Sequence, residues 1–76
     1  MPSKSPITPK EAGVLFAMLM DLFDDYSDNP MKSAIWLSKP NHALGGRSPV
    51  NVIFEDADGY QQVIQLIGRL QHGIPL

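Results

Sequence analysis

Three helix starts are written into this chain in the same way: at Thr8-Pro9, Asn29-Pro30 and Ser48-Pro49 a side chain able to cap a helix stands directly before a proline. Proline suits the first helical position because the amide it lacks would be unpaired there, and its fixed φ is already helical. Deeper inside a helix, or within a central strand, it removes a hydrogen bond. Three such starts point to a bundle of short helices and away from a sheet.

Thr8-Pro9-Lys10-Glu11 reads as a capping box, with Thr8 as N-cap and Glu11 reaching back to the cap amide. From there Ala12, Leu15, Phe16, Leu19, Leu22, Phe23 and Tyr26 recur at three- and four-residue spacing, which predicts one helix face running to about Ser27. Asn29 as cap and Pro30 at the first position open a second helix through Met31, Ala34, Ile35, Trp36 and Leu37, which Pro40 stops. Asn41 to Gly46 is a single turn closed by glycine. Val50 to Phe54 has strand-like composition, but the Ser48 cap and Pro49 favour a short helix. Asp56 and Asp58 suit the start of a last helix, striped by Tyr60, Val63, Ile64, Ile67 and Leu70 and ended by Gly73. The expectation is an all-α fold, a compact bundle of about four helices without a sheet. Residues 1–7 are expected to be a disordered lead-in, and 8–76 a single domain.

A chain of 76 residues buries only about 60% of its unfolded surface, so it is marginal alone and suited to completion by a partner. Six Lys and Arg against eight Asp and Glu give a formal net charge of −2, the wrong balance for releasing counterions from nucleic acid. Without cysteine there is no disulfide, thiolate nucleophile or cysteine metal cage. The apolar run from Gly13 to Met20 is too short for the ~20 residues of a bilayer span, no secretory leader precedes it, and a cytoplasmic protein is expected. His42 and His72 come with no nucleophile and oriented base, so catalysis, cofactor and metal are not expected. His72, in the last turn of its helix, can cap carbonyls there.

Asp21, Asp24, Asp25 and Asp28 fall at i, i+3, i+4 and i+7, which predicts one strip of carboxylates along the first helix, kept apart by water or met by a basic partner. Gly45-Gly46-Arg47-Ser48 reads as an inter-helix corner rather than a phosphate cradle: Gly45 for a left-handed cap, Gly46 for close chain passage, Ser48 as N-cap. Trp36 is expected in the core.

Read together, Trp36-Leu37, Pro40-Asn41, Leu44-Gly45-Gly46, Ser48-Pro49, Asp58-Gly59, Val63, Arg69 and His72-Gly73 closely resemble the toxin-binding domain of the Xre/MbcA/ParS family of bacterial antitoxins. The resemblance implies a small helical domain that binds and silences a RES-domain toxin, an enzyme that consumes NAD, within a higher-order toxin–antitoxin complex. It also implies that the C-terminal region approaches the toxin's active site. That makes Arg69, His72, Gly73, Ile74, Pro75 and Leu76 the expected toxin contacts, with the apolar, carboxylate-tipped tail seated where the anionic part of the substrate would lie. Arg69 could instead pair with Asp58 or Glu55. Members of the family often carry an N-terminal helix-turn-helix domain for dimerisation and operator binding. The residues before Trp36 hold one helix, so no direct DNA binding is expected from this chain alone. The alternative is a self-associating or adaptor module, its plastic apolar surface supplied by Met18, Met20 and Met31.

Overall fold

A helix started by a satisfied capping box opens the fold. The Thr8 hydroxyl accepts from the Glu11 amide at 3.1 Å and the Glu11 carboxylate accepts from the Thr8 amide at 2.9 Å. The computed structural model describes residues 6–26 and 28–73, which form α1 (Pro9–Phe23), α2 (Met31–Ser38), a 3-10 turn (His42–Leu44), α3 (Pro49–Glu55) and α4 (Gly59–Gln71). Among the described residues there is no strand, only one antiparallel bridge between Asn41 and Arg47. No helix is long and apolar enough to cross a membrane.

Helix α1 stops four residues before the expected Ser27. Asp24 turns left-handed at φ 52°, its amide donating to the Asp21 carbonyl at 3.3 Å and the Asp25 amide to the Met20 carbonyl at 2.9 Å. This pair of bonds closes the last turn, and a short polar side chain is among the few besides glycine that tolerate the conformation. Two expectations fall with it. Tyr26 lies outside the helix and is 65% exposed, and only Asp21 of the four carboxylates is helical. The chain's change of direction carries Asp25 to the start of α2, where its carboxylate accepts from the Lys32 amide at 3.2 Å. Asn29 therefore is not the cap of α2. Pro30 occupies the cap position and Asp25 supplies the acceptor that proline cannot.

Leu15 and Leu19 of α1, Leu44 of the turn, Val52 and Ile53 of α3, and Val63, Leu66 and Ile67 of α4 make the core. Helices α1 and α3 each pack against both α2 and α4, so α2 and α4 face one another diagonally across the bundle. Trp36 is half-buried at the rim of the core rather than within it, because α2 turns Ser33, not its indole, fully inward. On α4 the deepest positions include Leu66, and Tyr60, Ile64 and Leu70 flank them half-buried. Burial raises the Tyr60 phenol pKa, with the nearby Glu11 charge adding to it. Ile7, within the expected lead-in, packs against the core, and residues 1–5 lie outside the described residues.

Candidate partner-binding surface

The corner between α2 and α3 is built from the residues of the sequence motif and is held by cap and backbone hydrogen bonds. Pro40 ends α2 by forcing the preceding residue out of the helical region, and Lys39 is accordingly extended at φ −94°, ψ 144°. Asn41 then organises the loop. Its side-chain oxygen accepts from the Ala43 amide at 2.9 Å, its carbonyl accepts from Leu44 at 3.0 Å and Gly46 at 2.9 Å, and its amide donates to the Arg47 carbonyl at 3.0 Å. Gly45 is left-handed at φ 70°, as its cap role requires. Gly46 is left-handed too, at φ 85°, with open space where a side chain would begin. Its requirement is backbone conformation, not the close chain passage expected for it. Close passage belongs to Gly59, where a Cβ would overlap the Val52 carbonyl and come within 2.7 Å of the Ile53 Cα. Ser48, buried, accepts from the Asn51 amide at 3.3 Å and starts α3.

Arg47 is the motif residue whose role the spacing did not show. Its guanidinium grips Asp56 with two bonds of 2.9 and 3.0 Å, and Glu55 lies 3.6 Å from the same group. Gln62 of α4 donates to both Asp56 and Asp58. The corner is thus tied to the α3–α4 junction. The Arg47 bonds, followed by that from Gln62, hold the Asp56 carboxyl below its usual range. An arginine eight residues before an acidic pair is a detectable signal, but only the fold says that the chain doubles back between them. Glu55 and Asp58 are therefore engaged by Arg47 and Gln62, and not by Arg69 as the intramolecular alternative had it.

Arg69 stands on the outward face of α4 with Gln61, Gln65 and, beyond the helix end, His72. The four succeed one another at four- and three-residue steps, so they form one polar strip. Helix α4 contains no carboxylate, and Arg69 is its one formal charge. Gln62, Gln65 and Arg69, together with Ala43 and Leu44 of the corner, line a shallow polar hollow of about 180 Å³. Gln71 fixes the end of this face by donating to the Met18 carbonyl at 3.3 Å. His72 is the exposed C-cap and Gly73 turns left-handed at φ 73°. Ile74, Pro75 and Leu76 lie outside the described residues.

Apolar grooves lie elsewhere, two of them lined by described residues. One, of about 390 Å³, runs between the start of α1 and α3 and is bordered by Phe16, Leu37, Val50 and Phe54, the last 69% exposed. The other, of about 350 Å³, lies along α2 between Phe23, Ile35 and Trp36, with Lys32 and Lys39 at its edges. Neither was visible in the linear pattern, where Phe54 and Ile35 stand in short apolar runs that do not show which side chains the bundle leaves exposed. Among the described residues no group of His, Asp and Glu is arranged to hold a metal ion.

Residues 18–73 match the Antitoxin Xre/MbcA/ParS C-terminal toxin-binding domain. A curated relative, Antitoxin Xre of Yersinia enterocolitica serotype O:8 / biotype 1B (strain NCTC 13174 / 8081), is 37% identical over 70 residues, covering 88% of this chain and 47% of the relative. The chain therefore spans about half the length of that relative, and no solved structure matches it. With the Trp36-to-Pro49 motif folded into its corner and the match running from α1 through Gly73, the chain belongs to the Xre/MbcA/ParS C-terminal toxin-binding domain family of antitoxins.

Proposed function

We propose that this chain is an antitoxin that binds and neutralises a RES-domain, NAD-degrading toxin in the cytoplasm by obstructing its active site. The main contacts are the end of α4, at Arg69, His72 and Gly73, and the tail residues Ile74, Pro75 and Leu76. It acts by binding and carries out no chemistry of its own. The family match across residues 18–73 carries the reading. The polar strip on α4 supports it: Arg69 on a helix face without carboxylates offers a charge-assisted contact to an acidic rim, and the deep apolar positions of the same helix keep that face rigid.

The test is titration of the chain against a purified RES-domain toxin while NAD loss is followed. Inhibition saturating at a fixed stoichiometry is expected, weakened by deletion of residues 74–76 and by Arg69→Glu, with the helical spectrum and melting temperature preserved. No inhibition by the intact chain overturns the reading. Undiminished inhibition by both variants moves the contact to another face.

A further inference from the structure

We propose that the α2 groove is a self-association surface whose occupant is the acidic α1–α2 turn of a second copy of this chain. The groove is apolar at its floor, with Phe23, Ile35 and Trp36, and basic at its edges, with Lys32 and Lys39. Met31 and Ile35, one helical turn apart on α2, are 54% and 44% exposed and extend the apolar surface. What would fill such a groove is an aromatic or aliphatic side chain flanked by carboxylates.

The chain carries that complement in its own turn. Tyr26 is 65% exposed, yet its ring is held in place by the hydroxyl donating to the Asp21 carboxylate at 2.8 Å. Exposed Asp24 and Asp28 stand on either side of it in sequence. An exposed aromatic ring fixed in advance loses little freedom when covered, and it supplies a large contact area. Because the turn leads directly into α2, knob and groove sit at one end and along the side of the same helix. Antiparallel approach of two α2 helices about a twofold axis carries each acidic turn toward the Lys39 end of the other copy's groove. Each contact is then made twice, as an isologous interface requires. Neither Arg69 nor His72 lines this groove, so the pairing does not rest on the toxin-binding reading.

The experiment is sedimentation of the full chain over a concentration series, with emission from Trp36, the single tryptophan, read in parallel. A reversible monomer–dimer equilibrium is expected, with a blue shift of Trp36 on dimerisation. Raising the salt toward 1 M, where the screening length falls to about 3 Å, should weaken association roughly tenfold. Two charge-reversed chains decide the geometry: Lys32→Glu with Lys39→Glu, and Asp24→Lys with Asp28→Lys. Each alone should stay monomeric, since like charges meet at both contacts. Mixed one to one they should form a heterodimer, because both contacts become complementary again. Should either double variant lose its helical spectrum, Lys39→Glu with Asp28→Lys as single changes gives the same comparison. A wild-type chain still monomeric at about 1 mM, the weak end of specific association, overturns the proposal. So do folded variants that fail to pair on mixing, or that dimerise alone as the wild type does.

Discussion

At Gly59 a single hydrogen atom decides whether α3 and α4 can meet. A Cβ there would strike the Val52 carbonyl and the Ile53 Cα, both backbone atoms that cannot move aside without separating the helices. Gly59→Ala should therefore cost about 3 kcal/mol or more, as over-packing against backbone does. Gly45→Ala and Gly46→Ala meet open space and carry only the left-handed penalty of about 1–2 kcal/mol. Thermal melts of the three variants check the order. Ser33 presents the opposite case. It is fully buried on α2, and its hydroxyl has no hydrogen-bond partner among the described residues. Leaving a buried polar group unmatched costs about 1–3 kcal/mol, so Ser33→Ala should match or exceed wild-type stability by up to about 1 kcal/mol. A clear fall in melting temperature would show that the hydroxyl is bonded after all.

The elements hold or fail at their ends. Helix α1 ends at Asp24 with two closing bonds but a non-glycine residue at φ 52°. Asp24→Gly should remove the strain and keep both bonds, raising stability by about 0.5–1 kcal/mol against the extra freedom glycine gives the unfolded chain. Denaturant midpoints at constant slope are the measurement. Helix α2 depends on that same turn, because Asp25 caps it from outside. A one-residue insertion between Asp24 and Asp25 would disturb both helices, although it enters neither. Cap residues on α1 and α3 could be read directly from sequence since their partners lie three residues away. The α2 cap could not, since its acceptor comes from seven residues back through a left-handed turn.

Across the whole molecule, the Arg47–Asp56–Gln62 cluster joins the corner to the α3–α4 junction, and its effect on stability has a definite sign. Asp56 titrates below its ordinary value of 3.8, so its contribution is complete above that pH and is lost as acidification carries the folded protein through the lower value. The melting temperature should fall as pH drops below about 4, and Asp56→Asn should flatten that fall while lowering stability at neutral pH. An equally steep acid dependence in the variant would assign the effect to other carboxylates. By itself the sequence determined the helical class, the starts of α1 and α3, the glycine-closed corner and the family. Those features rest on interactions within a few residues and on proline's fixed backbone, which act before any tertiary contact exists. Only the tertiary structure decided where α1 stops, that Trp36 sits at a rim while Ser33 faces inward, that Leu66 joins the core, and that Arg47 reaches Asp56. Each of these depends on the direction in which one helix leaves another, and periodicity along a single helix carries no information about that direction.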